Sequence, residues 1–231
     1  MLVRSIHPWD VGIREAIQLQ ESLRSQVVLR GAVRSLRWVA GCDVAYHPSR
    51  PELLGGAVVW DIREGALVEA QLVRGEVRFP YVPGLLGFRE IPVILEALSR
   101  IRGRVDVVLV DGQGAAHPRG MGIATHLGLH LDVPTVGCAK SSLVGEWELP
   151  GPMRGDRAWI LLDGTRVGAV LRTRDRVRPV FVSPGNRIGV AGALRVVLSC
   201  LGGRRIPEPL REAHSLVERA KRSDLRGSHS V

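Results

Sequence analysis

Val105-Asp106-Val107-Val108-Leu109-Val110-Asp111-Gly112-Gln113-Gly114 is an apolar run that ends in a carboxylate and then turns on two glycines. So many aliphatic residues without alternation read as a strand buried on both faces, the kind found inside a largely parallel α/β sheet. Asp111 then stands at the strand's carboxyl end. Ligands of open α/β sheets bind in the crevice beyond those ends, which makes Asp111, followed by flexible backbone and His117, a candidate site. The competing reading makes Asp111 the N-cap of a helix over Met121 to Leu131. A second carboxylate is needed to decide.

Upstream, Trp38-Val39-Ala40-Gly41-Cys42-Asp43-Val44-Ala45-Tyr46 supplies one, a small apolar strand with a single charge near its middle. Burying Asp43 unpaired costs several kcal/mol, so it must meet a metal, strong donors or an arginine. Before this strand, Asp10 is expected to cap a covering helix from about Val11 to Leu29. After it, Leu54 to Arg63 and Ala66 to Val73 read as a hairpin that completes an antiparallel three-strand meander. The segment Val77 to Glu90 is a loop in which Pro80 and Pro83 stiffen the chain and hold Tyr81 outward. Glu90 is expected to begin a helix running through Ile94, Leu95 and Leu98.

Downstream come the short strand Pro134 to Gly137, with Lys140 just past its end, and further strands over Ala158 to Leu162, Val167 to Arg172 and Pro179 to Val182. Arg172, Arg174, Arg176 and Arg178 form either a solvated edge or a phosphate-facing patch. Asn186 to Leu201 and the segment opening at Pro207 read as helices. In the last of these Leu210, Ala213, His214 and Val217 share a face, which directs His214 inward, as a core histidine or a site residue. One domain is expected over residues 1–223, with 224–231 a frayed tail.

The 231 residues carry 32 Lys and Arg against 23 Asp and Glu, a formal charge of +9, and the isoelectric point is about 10.8. A polyanion is the natural partner, and nucleic acid outranks membrane because no helix gathers the cations on one face. No apolar stretch approaches the ~20 residues that span a bilayer, and no signal-peptide core is present, so the expected location is the cytoplasm. Cys42, Cys138 and Cys200 are scattered and lack C-x-x-C spacing, which argues against a disulfide framework and against zinc. Only Lys140 and Lys221 are lysines. Where arginine is the default cation, a lysine in a small-residue stretch invites a specific reason.

Asp43, Glu90 and Asp111 could converge as hard oxygen ligands, which select Mg²⁺ or Mn²⁺. On a basic protein the matching chemistry is phosphodiester hydrolysis, with Lys140 a point charge near the developing negative charge. A dinucleotide site is discounted, since His117 stands where the third glycine of that pattern belongs.

Pro80-Tyr81-Val82-Pro83-Gly84-Leu85-Leu86-Gly87-Phe88-Arg89-Glu90 and Asp111-Gly112-Gln113-Gly114-Ala115-Ala116-His117-Pro118-Arg119 together resemble the endonuclease V family, the deoxyinosine 3′ endonucleases. Further matches run through Gly41-Cys42-Asp43, Thr135 to Ser141, Val182-Ser183-Pro184-Gly185 and Arg205-Ile206-Pro207-Glu208-Pro209, covering nearly the whole chain. The resemblance implies a ribonuclease H-like mixed β-sheet flanked by helices in a single domain. It implies a metal site of Asp43 and Asp111, with Glu90 a nearby essential carboxylate and with support from Lys140 and His214. It also implies that Pro80, Tyr81, Val82 and Pro83 wedge into the duplex, and that a flipped hypoxanthine enters a pocket near Leu86, Gly112, Ile123 and Gly137. The implied reaction, with Mg²⁺ or its substitute Mn²⁺, cuts the second phosphodiester bond 3′ of the lesion and leaves 5′-phosphate and 3′-hydroxyl ends.

Two positions depart from the family pattern, Asn186 in place of a common His and Leu210 in place of a common Thr. The expected protein is a monomer acting on deoxyinosine-containing DNA. Inosine-containing RNA, another ribonuclease H-like nuclease and a non-enzymatic nucleic-acid binder remain as alternatives.

Overall fold

The computed structural model describes residues 1–227. Eight strands form one sheet: β1 (Trp38–Tyr46), β2 (Glu52–Asp61), β3 (Ala66–Glu76), β4 (Val107–Val110), β5 (Thr135–Ala139), β6 (Arg157–Leu162), β7 (Thr165–Leu171) and β8 (Val180–Asn186). Their order across the sheet is β3-β2-β1-β4-β5-β8-β7-β6. The centre, β1-β4-β5, is parallel, and antiparallel neighbours extend it on both sides. This is the ribonuclease H-like mixed sheet that the motifs implied.

Helices α1 (Ile13–Leu23), α2 (Leu86–Ser99), α3 (Ile123–Leu129), α4 (Val190–Ser199) and α5 (Glu208–Gly227) cover it. All four residues of β4 are buried, as a strand with apolar side chains on both faces requires. Val108 and Val110 join the core with Ile91, Ile94 and Leu98 of α2 and Leu127 of α3. Val107 and Leu109 join the other core with Val136, Leu194 and Val197 of α4 and Leu210 of α5.

Several boundaries differ from expectation for identifiable reasons. Helix α1 is shorter than Val11 to Leu29, and its N-cap is Gly12, with no side-chain cap, rather than Asp10. Helix α2 begins at Leu86, so Glu90 lies inside the helix and not at its start. Asn186 ends β8 instead of starting a helix. Its side chain accepts from Val28 N–H at 2.9 Å and donates to Gly128 O at 2.8 Å, which fixes the strand end and moves the next helix to Val190. Helix α5 continues past Ser223 to Gly227, and Asp224 pairs with Arg74 at 2.8 Å. The expected tail thus overlaps this helix over 224–227, and 228–231 lie outside the described residues. Arg172 is buried and its guanidinium donates to the carbonyls of Pro150, Gly151 and Val177, a structural role rather than a phosphate-facing one.

Candidate active site

Cys42 and Val110 are paired in the parallel register of β1 and β4. The next residues, Asp43 and Asp111, therefore leave neighbouring strands side by side on the same face of the sheet. That face is the one α5 covers. A Cβ on Gly41 would stand 2.2 Å from Pro209 O, so only glycine lets the start of α5 lie this close to β1. The close approach brings His214 Nδ1 to 2.7 Å from Asp43 Oδ2, where it donates to the carboxylate. His214 is not directed inward as its apolar neighbours suggested: its side chain is 58% exposed, and it faces the carboxylates.

Glu90 reaches the same place from α2 and accepts from Tyr46 Oη at 2.7 Å. Arg89 stacks its guanidinium 4.8 Å over the Tyr46 ring and donates to Phe79 O at 2.7 Å, tying the preceding loop to the helix. Lys140, directly after β5, donates to Asp111 Oδ2. Arg205 holds it in place by donating to Lys140 O and Pro179 O, both at 2.9 Å. Tyr46, Arg89 and Arg205 were not singled out as site residues from sequence. Tyr46 had a signal, since it shares the side of β1 that faces α2 with Cys42 and Val44. The other two act through backbone carbonyls and had none.

The carboxylates disturb one another. Burial raises the proton affinity of Asp43, the charge of Asp111 raises it further, and the bond from His214 opposes both. Burial likewise pushes Glu90 up to about 7; the Tyr46 bond counteracts this, while Asp43 and Asp111 add to it. Lys140 is held above its ordinary range: burial works against its charge, and the bond to Asp111 with the nearby Asp43 outweighs it. Asp43 and Glu90, both held back from ionising beside Asp111, are short of positive charge. Hard oxygen donors on Asp43 and Asp111, with Glu90 nearby, suit a small hard cation such as Mg²⁺ or Mn²⁺.

Beside them opens a cavity of about 320 Å³ whose wall includes Asp111, Gly112, Lys140, Leu86 and Ile123, with Tyr81, Val82 and Pro83 at one side. Three of the four expected pocket residues line it. Gly137 does not: a Cβ there would meet Gly114 N at 2.5 Å and Gly112 O at 2.6 Å, so it packs beneath the Gly112 to Gly114 backbone. The adjoining loop is rigidly held. Leu85 N–H donates to Val82 O at 2.9 Å across Pro83 and Gly84, and Gly84 has φ +81°, the glycine-requiring position of a type II turn. Gly84 O accepts from Gln20 Nε2 and His117 Nε2 at 3.0 Å and from Arg119 at 2.9 Å. Burial lowers His117 to about 4, keeping it a neutral donor. Tyr81, just before this turn, is 71% exposed.

A ribonuclease H-like sheet with carboxylates gathered from β1, the end of β4 and α2 is the framework of a metal-dependent nuclease. Known proteins place the chain more narrowly. The family model Endonuclease V matches residues 21–215. The chain is 46% identical to endonuclease V of Methanothrix thermoacetophila over 96% of its length and 98% of the relative's. The crystal structure of endonuclease V from Streptomyces avermitilis superposes with a TM-score of 0.89 at 40% identity, covering 97% of this chain and 100% of that one. Ciona intestinalis endonuclease V, in complex with a 23mer DNA containing an inosine followed by a ribo-adenosine, shares the fold with a TM-score of 0.81 at 24% identity, over 91% and 97% of the two chains. This chain belongs to the endonuclease V family, and it is a DNA repair endonuclease. Among the described residues no helix is long and apolar enough to cross a membrane.

Proposed function

We propose that this endonuclease, acting as a monomer in the cytoplasm, recognises deoxyinosine in DNA and hydrolyses the second phosphodiester bond on its 3′ side in the presence of Mg²⁺. The observation that carries the reading is the juxtaposition of the carboxylate cluster with the 320 Å³ cavity that shares Asp111 and Lys140 with it. A base extruded into that cavity would leave its neighbouring backbone beside Asp43 and Asp111. A deaminated, poorly paired base costs less to extrude than a normal one, which gives selectivity at the unstacking step. Tyr81, held outward at the rim, can fill the gap in the stack. The Ciona protein of the same fold, bound to inosine-containing DNA, favours the same substrate class.

In this reading Asp43 and Asp111 hold Mg²⁺, with Mn²⁺ able to substitute. The bound cation supplies charge neutralisation at the phosphate and activation of the attacking water. Lys140 bonds Asp111 through one of its three N–H groups, leaving others for a phosphate oxygen. Arg205 fixes the backbone from which Lys140 projects. His214, oriented by Asp43 through Nδ1, keeps Nε2 free to bond water or phosphate. Glu90, titrating near neutrality, can take up or release a proton at working pH. Hydrolysis adds water across the P–O3′ bond, so one fragment ends in 5′-phosphate and the other in 3′-hydroxyl.

The test is a set of matched duplexes with and without one deoxyinosine, incubated with Mg²⁺ or with chelator and mapped at nucleotide resolution. A single nick one nucleotide beyond the lesion's own 3′ phosphate, dependent on both inosine and Mg²⁺, is expected. Equal cutting of the undamaged duplex removes the lesion reading, and preferential cutting of an inosine-containing RNA transfers it to RNA.

A further inference from the structure

A second constellation of ligating side chains lies apart from the carboxylates. His7 precedes α1, and His126 and His130 lie one turn apart at α3; all three are buried, and one ligating nitrogen from each lies within 4.8 Å of the others. None of the three lines the cavity. We propose that His7, His126 and His130 form a structural binding site for one zinc ion, which fastens the amino-terminal segment to α3.

The hydrogen bonds set the tautomers. His7 Nδ1 donates to Pro8 O at 2.7 Å and His130 Nδ1 donates to Arg4 O at 2.8 Å. Each carbonyl thereby fixes the proton on Nδ1 and leaves the Nε2 lone pair free, the outer-shell arrangement usual for metal-ligating histidine. His7 Nε2 lies 2.7 Å from His126 Nε2, so in the metal-free protein His126 supplies the one proton between them. That leaves two buried nitrogens, His126 Nδ1 and His130 Nε2, with no hydrogen-bond partner. Three rings with two carbonyl acceptors therefore cannot satisfy one another.

A zinc ion satisfies the His130 nitrogen, while His126 Nδ1 stays without a partner and changes from a bare lone pair to an N–H. It takes a lone pair from Nε2 of each ring while the His126 proton moves to Nδ1, so no net proton is lost from the protein. Three histidine nitrogens leave the fourth position of a tetrahedron to water. Zn–N bonds of 2.0–2.1 Å place ligand nitrogens about 3.3 Å apart, so the His7–His126 pair must open by about 0.6 Å. Trp9 stacks on His130 at 5.0 Å and Phe88 packs edge-on against His126 at 4.9 Å, closing the site in aromatic rings. The scattered cysteines argued against zinc, but that argument does not reach a site built only of imidazoles.

The segment that carries His7 is already laid along α3, through the Val3–Leu131 bridge and the bond from Arg4 N–H to His130 O at 2.8 Å. On its other side His126 abuts α2, where a Cβ on Gly87 would stand 2.9 Å from Nδ1. Zinc here braces the helix turns that carry Leu86 and Ile123, both part of the cavity wall.

The experiment strips the full-length protein with chelator, dialyses it, and titrates Zn²⁺ in excess Mg²⁺, reading zinc retained per chain and the melting temperature. To keep the carboxylates out of the count, it is repeated in the Asp43→Asn/Asp111→Asn double variant. One retained zinc is expected in both proteins, with a rise of about 5–10 °C when free zinc exceeds its dissociation constant 100-fold. His130→Phe keeps the ring on Trp9, and His7→Gln is a second, milder variant; both should fold and lose the zinc and the rise. With Co²⁺ in place of zinc, the parent should show the visible absorption of a four-coordinate nitrogen site and His130→Phe should not. Failure of the parent to retain zinc, equal retention by His130→Phe, or loss of zinc in the double aspartate variant overturns the proposal. None of these outcomes bears on inosine cleavage.

Discussion

Helix α2 touches two groups of titratable side chains that burial treats in opposite ways. Glu90 faces Asp43 and Asp111, where burial and mutual repulsion push protons onto carboxylates that would otherwise be ionised. One turn earlier, Gly87 backs onto His126, where burial strips protons from imidazoles that would otherwise be partly charged. The acidic group stores unfavourable charge and responds to any cation. The histidine group, with His126 and His130 held neutral by burial, is sealed among aromatic rings, so it contributes packing. Strain from uncompensated charge marks the place where chemistry is expected, and neutral burial marks a place that holds the fold together.

Replacing a charge at one group and a ring at the other should separate these roles most widely. In the proposed reading Asp43→Asn or Asp111→Asn removes a carboxylate that holds the metal, worth several kcal/mol of transition-state stabilisation, so cleavage should fall by on the order of 10³-fold or more. In chelator the same variants should melt no lower than the parent, because they relieve repulsion. His126→Ala should do the reverse. Deleting a buried ring costs roughly 3–5 kcal/mol, on the order of 10 °C in a domain of this size, with turnover per folded molecule retained. Cleavage assays and thermal melts on both variants check this; an asparagine variant that melts far lower while still cutting would erase the contrast.

The acidic group should also declare itself in pH-dependent stability without metal. Glu90 has a folded-state pKa of about 7 against an unfolded value near 4.5. A carboxyl whose pKa is raised on folding contributes stability that is complete below the unfolded value and disappears as pH rises through the folded one. In chelator Glu90 should therefore withdraw up to roughly 3 kcal/mol of stability between about pH 4.5 and 7.5, compared with a neutral side chain at that position, and the raised Asp43 acts in the same direction. Glu90→Gln should remove that loss, so the variant gains on the parent as pH rises through about 7. The histidines that burial lowers, His117, His126 and His130, act in the opposite direction between their folded values and about pH 6.5, within the same window, so the Glu90 contribution is read as the difference between parent and variant and not from the parent alone. Melting temperature against pH, for parent and variant in chelator, measures the difference; a Glu90→Gln curve that runs parallel to the parent's across that window contradicts the crowding of carboxylates.

The two groups were not equally legible in the sequence. Asp43 announced itself as a charge inside an apolar strand and Asp111 as a charge ending one, and local pattern alone shows both. Glu90 was named, but its helix starts at Leu86, because Pro83 and Gly84 complete a turn that lets the helix follow at once. His214 was named for the wrong direction: periodicity placed it among Leu210, Ala213 and Val217, but the close seating of α5 on Gly41 turns its ring to Asp43. The histidine cluster was only half legible, since His126 and His130 stand one helical turn apart, but His7 and His126 meet across 119 residues and no spacing encodes such a contact. Charges in the wrong company can be read from a sequence; neutral groups in the right company need the fold.

Tyr81 gives the smallest and most discriminating test, because its loop joins the two principles. Its position depends on a neutral buried histidine, His117, which donates to Gly84 O, while its work is expected beside the charged group. Stacking of an aromatic ring on a base is worth roughly 1–3 kcal/mol by alanine substitution. Tyr81→Ala should therefore weaken binding to an inosine duplex by about 10-fold, with nicking at limiting enzyme reduced to match. Binding to undamaged duplex rests on counterion release from a basic surface, and it should change little. The ring is exposed and adds nothing to either cluster, so the melting temperature and its pH dependence should stay at parental values. Affinity for the two duplexes at one salt concentration, together with a thermal melt, separates the possibilities. An equal loss on both DNAs makes Tyr81 a general contact. A drop in melting temperature makes it part of the scaffold that His117 holds. A loss confined to the inosine duplex, with the scaffold untouched, places lesion recognition in the ring itself.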